Sequence, residues 1–486
     1  MKKASIAICL IAAFCLMLGG VALAGDKGSG GGGSTGTISG TVKDINTGAA
    51  ISGATISNGS ASATTDANGN YTMSATAGSN TLSASASGYQ QTWQVCSVTA
   101  GQTTSVNWSL TKAYGSQTIP AASMDWVILG WNDLGMHCDQ DDYSYFCVLP
   151  PFNTLHVQVF QRSSKSSPVM SGITVSYAFA KKTDSTLHTN FWTYASNFGW
   201  NLAPNVGLTG NGLSGDMKAD SNNLSWVADG IPITPYDDDG TWDPYGTATI
   251  TVKDSSGNVL QTADVVAPVS TEMMCSNCHG TSNPQLDILQ EHDSYNGTTL
   301  ASDAQAGKPH RCSECHADNA LGAPGQPGVE SLSLAMHKFH AGKVAATTDG
   351  CYNCHPGSKT QCLRGIMERA GKGCIDCHGD MNQVYTSIQN GRSPWLNEPK
   401  CANCHDSKHQ ENSNTLYRNS ILNNSPGSSM NGKLYCEACH NSTHAELTTA
   451  NSADPTIPQK FQGDNYWIWS CQICHTGKTN TAAMHK

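Results

Sequence analysis

The chain has 486 residues, more than one ordinary domain holds, so two or three domains are expected. Charged residues make up 13%, aromatic residues 7%, and there are 48 glycines, which leaves few large side chains for an extensive core, while 20 cysteines call for a cofactor or a disulfide framework. The formal net charge of −10 argues against nucleic-acid binding, which wants a basic face.

In chain order, the first segment reads as a targeting signal. Lys2 and Lys3 precede an apolar run from Ile6 to Leu23, and Ala22-Leu23-Ala24 offers a small-x-small cleavage site before Gly25. Residues 1–24 are therefore expected to be a secretory signal peptide. No later segment is long and apolar enough to span a bilayer, so the mature chain is expected to be soluble and secreted, in the periplasm or at the outer surface. Residues 25–35, GDKGSGGGGST, read as a flexible linker.

Residues 36–112 alternate apolar and polar positions in short runs, with turn signals at Asp44-Ile45-Asn46-Thr47-Gly48, Asp66-Ala67-Asn68-Gly69-Asn70 and Ala77-Gly78-Ser79-Asn80. A last strand is expected near residues 103–110. The pattern predicts an antiparallel β-sandwich. Gly40-Thr41-Val42 with Asp44, Thr47-Gly48, Gly53-Ala54, and the stretch from Thr65-Asp66 to Gly69-Asn70-Tyr71 resemble the carboxypeptidase regulatory-like domain family. That resemblance implies a small sandwich serving as a spacer or contact module, not an enzyme.

Residues 113–270 predict a second β-rich domain, with strands at 126–129, 155–160, 173–179 and 248–252. Within it, Gly130-Trp131-Asn132-Asp133-Leu134-Gly135-Met136-His137-Cys138 is similar to a string found ahead of the haem region in some multihaem cytochromes of metal-reducing bacteria. Cys138 and Cys147 can close a disulfide around a short acidic loop, and Cys96 and Cys362 are left to pair with each other or stay as buried thiols. Asp237-Asp238-Asp239-Gly240 with Asp243, and Asp139 with Asp141 and Asp142, have oxygen-rich spacing that suits Ca²⁺, although acidic turns are usually solvated loops.

From Met274 onward the composition changes, and Cys and His fall in clusters. Seven Cys-x-x-Cys-His motifs follow: Cys275/Cys278/His279, Cys312/Cys315/His316, Cys351/Cys354/His355, Cys374/Cys377/His378, Cys401/Cys404/His405, Cys436/Cys439/His440 and Cys471/Cys474/His475. Composition alone gives roughly 0.03 such matches, so the set is not accidental. Two thiols at this spacing form thioethers to the two vinyl groups of one porphyrin, and the next His lies under the iron as proximal ligand. A zinc site would pair two Cys-x-x-Cys units and would not require His after every second Cys. Seven c-type haems are therefore expected in residues 271–486. Their macrocycles supply the missing apolar core, and without them this part is not expected to fold.

The second axial ligand separates electron transfer from substrate chemistry. Seven further His lie in this part, matching the seven motifs: His292, His310, His337, His340, His409, His444 and His485. The expectation is mostly bis-His, low-spin haems. His409 and His444 each follow a motif His by four residues, so on a helix they share its face and must serve a neighbouring iron. His310 also reads as a ligand to a neighbour. His337 and His340, about one turn apart in Met336-His337-Lys338-Phe339-His340, can serve two different haems. Met336 and Met484 are alternative ligands that the His supply makes unnecessary.

The fold class expected overall is multidomain, with two N-terminal all-β, sandwich-like domains followed by a loop-rich, partly α-helical multihaem domain built around stacked haems. This C-terminal part resembles the multihaem c-type cytochromes of extracellular electron transfer in metal-respiring bacteria, on its motifs and on Met336-His337 and His340-Ala341-Gly342 ahead of Cys351. The resemblance implies delivery of respiratory electrons to partner cytochromes or extracellular metal oxides. It also raises a homopolymer in which His137 or His485 ligates a haem of the next subunit. Two other classes stay open. One is a multihaem reductase of a small nitrogen or sulfur oxyanion, which needs an open haem position and often Cys-x-x-Cys-Lys, a motif this sequence lacks. The other is a surface structural protein whose haems are secondary.

Overall fold

The computed structural model describes residues 35–45, 48–89, 91–110, 119–222, 224–280, 282–357, 359–400, 403–404, 418–419, 434–449 and 451–477. The expected signal peptide and all but the last residue of the linker lie outside the described residues, as do Cys401, His405, His409 and His485.

Residues 35–110 form a two-sheet sandwich. One sheet runs Asn70–Thr76, Thr35–Asp44, Thr103–Ser105, with Trp108–Leu110 also on Thr35–Asp44; the other runs Ser62–Thr64, Thr55–Ser57, Gly78–Ser85, Thr92–Val98. Strict alternation explains the sidedness: Tyr71, Met73 and Ala75 are buried while their neighbours are exposed. They pack with Ile38, Val42, Ile56, Leu82, Trp108 and Leu110 into one core. Trp108 Nε1 donates to Tyr71 Oη (3.1 Å), and Tyr71 Oη donates to the Val106 carbonyl (2.8 Å), so the buried polar tips are satisfied.

Two expectations are corrected here. The last two strands run parallel to Thr35–Asp44, because the chain reaches them by crossing over from the opposite sheet. The turn expected at residues 77–80 shrinks to a kink at Gly78 (φ +117°), where the chain passes from one sheet to the other and continues directly as a strand.

The second β part is also two antiparallel sheets. Lys218–Asp220, Ser225–Ala228, Leu155–Gln161 and Trp126–Asn132 form one; Ser214–Asp216, Ile173–Phe179, Thr247–Asp254 and Val259–Val266 form the other. All four strands expected from the sequence lie within these. At Gly130 the sheets close so tightly that a Cβ would stand 2.4 Å from a Val265 methyl. The core does not stop at residue 270. Val127, Leu129, Val159, Ile250 and Val265 share it with Tyr435, Ala438, Ile457, Phe461, Ile468 and Ile473. The boundary at 270 is thus one of composition and not of packing.

The remaining segment is short helices joined by loops. Pro284–Asn296 starts where Asn283 accepts from Leu286 N with Pro at the first position, and ends at Gly297 in the left-handed region (φ +68°). Leu332–His340 is capped by Ser331. From Met274 to Lys400 the buried apolar side chains are few: Leu289, Ala301, Ala304, Leu363 and Ile388. Among the described residues no helix is long and apolar enough to cross a membrane.

Candidate functional site

Each motif whose backbone is described is one helical turn. The first Cys carbonyl accepts from the His amide at Cys275–His279 (2.9 Å), Cys312–His316 (3.0 Å), Cys351–His355 (3.0 Å) and Cys471–His475 (2.9 Å). Cys374–His378 and Cys436–His440 are single-turn helices. A turn of this kind presents both thiols on one side, three residues apart, with the imidazole beside them.

Four motif imidazoles face a second imidazole from elsewhere in the chain. The ring centroids are 6.3 Å apart for His279 and His340, 6.3 Å for His316 and His292, 6.3 Å for His355 and His337, and 6.1 Å for His378 and His444. With metal–imidazole bonds of about 2 Å and roughly 1.1 Å from ring nitrogen to centroid, two imidazoles on opposite sides of one metal sit about 6.3 Å apart. The residues present therefore fit a bis-imidazole haem iron at four motifs.

The outer ring nitrogens are committed elsewhere. Nδ1 of His337 lies 2.7 Å from the Ser333 carbonyl, that of His340 2.7 Å from the Met336 carbonyl, and that of His316 2.7 Å from the Glu330 carbonyl. His444 Nδ1 lies 3.1 Å from the Leu134 carbonyl, His279 Nδ1 3.1 Å from Asp287 Oδ2, and His292 Nδ1 3.0 Å from Thr298 Oγ1. A proton on Nδ1 leaves Nε2 as the lone-pair nitrogen, which is how metal-ligating imidazoles are held. Burial, and then neighbouring imidazoles, pull His355 down to about 4; burial likewise lowers His292, His337 and His378. All four are thereby biased to the neutral, ligating form.

These groups line one connected cavity of about 2650 Å³, far larger than the ~300–1,000 Å³ of an ordinary small-molecule site. It runs past Cys275, Cys312, Cys351, Cys374 and Cys436. The motifs also touch one another, in one case out of sequence order. Asn277 donates to Asn353 (2.9 Å), joining the first motif to the third. A hydrogen bond from the Cys374 thiol holds Cys351 down at about 7, joining the third to the fourth. Burial and then the Cys471 thiol push Cys439 up to about 12, joining the sixth to the seventh. The seventh is docked on the β part, where Arg162 donates to the Gln472 carbonyl (3.0 Å).

Not every expected residue falls into this pattern. His310 is engaged by Glu314 (3.0 Å) and Asp303 (3.5 Å), on a two-residue strand paired with Phe146–Cys147. The His440 ring stacks on Trp467 (6.1 Å). The helix assumed through His440 and His444 ends at Asn441, whose φ is +68°, so it is a backbone reversal and not a shared helix face that separates the two rings. His156, upstream of the motifs in the second β part, lines the cavity, stacks on Trp131 (5.6 Å) and has a buried Nδ1 with no hydrogen-bond partner. Of the Nδ1 acceptors, those of His337 and His340 were legible as carbonyls one turn back on a helix. Glu330 and Leu134 are remote in sequence and left no signal.

The disulfide expected between Cys138 and Cys147 is corrected, while of the two alternatives for Cys96 and Cys362 the structure has unpaired thiols. Cys138 and Cys147 are both free, held on separate parallel ladders, with Val269–Ser270 and with His310–Arg311. Burial and then the Cys362 thiol push Cys138 up to about 12, which puts Cys362 beside Cys138 and away from Cys96 in the first sandwich. The acidic turns are taken up by protein partners. Lys182 lies 3.2 Å from Asp237, Thr183 donates to Asp238, the Thr241 amide donates to Asp239, and Asp139 accepts from Tyr143 Oη (2.7 Å). Among the described residues no three or more His, Cys, Asp or Glu side chains converge as an ion site. A haem iron needs only two from the chain.

Residues 37–111 match the carboxypeptidase regulatory-like domain family, which accounts for the first sandwich. No curated protein matches the chain. Among solved structures, a DUF3823 family protein from Bacteroides ovatus aligns at 12% identity over 48% of this chain and 98% of its own, with a TM-score of 0.13. BcpA, the major pilin subunit of Bacillus cereus, aligns at 10% identity over 48% and 69%, with a TM-score of 0.15. The major pilin SpaD from Corynebacterium diphtheriae aligns at 9% identity over 49% and 66%, with a TM-score of 0.14. Scores this low carry no argument about overall fold or assembly.

Proposed function

We propose that this chain is a multihaem c-type cytochrome that conducts electrons through covalently attached, bis-His haems. The observation that carries the reading is the set of four imidazole pairs, each with one ring from a Cys-x-x-Cys-His turn and one from a distant segment, at the separation two ligands of one iron require. When bound, each haem supplies one-electron exchange, oxidised as its neighbour is reduced, with no proton or atom transferred.

The chain's own residues do the rest. Cys275 and Cys278, and their counterparts in the other motifs, would fix each macrocycle; His279, His316, His355 and His378 would hold the iron from one side and His340, His292, His337 and His444 from the other. The remaining three motifs would do the same, drawing on His409 and His485, which lie outside the described residues, and on His310. With both imidazoles of a pair holding one iron, no position would be left open to substrate, so the reading is a conduit and not a reductase. Contacts between motifs favour an order in which the second, first, third and fourth follow one another: the helix after the first motif carries His292 to the second, and one helix carries His340 to the first and His337 to the third. Donor and acceptor would be other redox proteins or extracellular metal oxides.

The test is the holoprotein, made with c-type haem maturation. Mass spectrometry is expected to give seven haems, and EPR of the oxidised protein low-spin signal accounting for all the iron. A chain without covalent haem would sink the reading. One high-spin iron would return it to the open-site reductase class.

A further inference from the structure

The string 130–138 has no role in the reading above, and its packing gives it one. The Leu134 carbonyl lies 3.1 Å from His444 Nδ1. Asn132 shapes the loop that offers this carbonyl: its Oδ1 accepts from the amides of Leu134 (3.1 Å) and Gly135 (2.7 Å), and its Nδ2 donates to Asn153 Oδ1 and the Thr154 carbonyl. The loop is tied to the His444 segment a second time, because the Asn132 amide donates to Ser442 Oγ (3.1 Å). At Gly135 the φ is +74°, and a Cβ would stand 2.1 Å from the Thr443 carbonyl oxygen, so only glycine permits this approach.

The other side of His444 is clamped as well. Its carbonyl accepts from the amides of Arg364 (2.8 Å) and Gly365 (3.0 Å). The Arg364 guanidinium donates to the Gly135 carbonyl (2.7 Å) and pairs with both oxygens of Asp454 (2.7 and 2.8 Å), all buried. His444 itself has φ +68°, in the left-handed region that few non-glycine residues occupy.

We infer that the loop Asn132–Gly135 positions His444 as the second axial ligand of the haem held by Cys374, Cys377 and His378, by fixing the proton on Nδ1 and turning Nε2 toward His378. This rests on the haem reading above. Asn132, Leu134 and Gly135 are positioning residues, since none touches the iron.

Gly135→Ala in the full holoprotein is the first test. The thioethers of Cys374 and Cys377 keep the haem count at the wild-type value, while one iron in seven turns high-spin and is returned to low-spin by added imidazole. His444→Ala gives the same signature. Ser442→Ala, which removes one tie without a new atom, is expected to make that iron roughly tenfold more open to imidazole, in the range of outer-shell effects on metal ligation. It decides the matter alone if Gly135→Ala does not accumulate. If Ser442→Ala leaves imidazole binding and spin state at wild-type values, the inference is overturned. If the wild-type protein carries no haem, the reading beneath it has failed instead.

Discussion

Asp139 shows at residue scale how burial sets chemistry beside the cavity. Its side chain is fully buried, Oδ1 accepts from Tyr143 Oη and the Gln140 amide, and Oδ2 has no partner. Burial raises it from the usual 3.8 to about 7, with the neighbouring Asp141 raised by burial in the same direction. A carboxyl whose folded value is raised favours the folded state fully below its unfolded value, and that contribution is lost as pH climbs through the folded value. The displacement corresponds to on the order of 4 kcal/mol. Holoprotein stability is therefore expected to fall between pH 4 and about 7, and Asp139→Asn to flatten that slope, both measured by denaturant unfolding. An unchanged slope in the variant would show Asp139 ionised in the fold. The sequence offered Asp139 as a calcium ligand, since acidic spacing was visible and burial was not. Single residues were legible where the chemistry is local, as in Cys-x-x-Cys-His. They were illegible where the partner comes from across the fold, as with Leu134 and His444.

At element scale the helix Leu332–His340 decides the most. Its two imidazoles project one turn apart and meet rings of different motifs, His337 at His355 and His340 at His279. That division was legible from the spacing alone, because three residues on a helix separate two rings along its axis. It did not say which motifs, since this depends on how the helix lies across loops that no periodicity describes. The two ring pairs also differ in twist, 23° for His337 with His355 and 75° for His340 with His279. Near-parallel planes split the iron's π-symmetry d orbitals and give a rhombic low-spin signal; near-perpendicular planes leave them close in energy and give a highly anisotropic one. His337→Ala is expected to remove one iron from the rhombic class, and His340→Ala one from the anisotropic class, at constant haem content. Loss of the same signal in both variants would break the assignment.

At the scale of the whole molecule, the three stretches of chain draw their cores from different sources. The first sandwich is complete in itself, with Ile38, Leu82, Trp108 and their neighbours all supplied by residues 35–110. Alternation along its strands made it legible from sequence, apart from the parallel last strands, whose direction depends on a crossover. The second β part borrows apolar side chains from 434–475, a debt invisible in sequence because its two contributors lie far apart along the chain. Residues 274–400 have little of either kind; their buried apolar side chains are scattered around a large cavity. If haem fills that cavity, the chain made without haem attachment should lose protection in a graded way. Hydrogen exchange is expected to leave 37–110 at holoprotein protection, to weaken 119–270 together with 434–475, and to leave 274–400 nearly unprotected. Equal protection of 274–400 in the two forms would mean that the loops and helices hold this arrangement by themselves, and the macrocycles would no longer be the core of the domain.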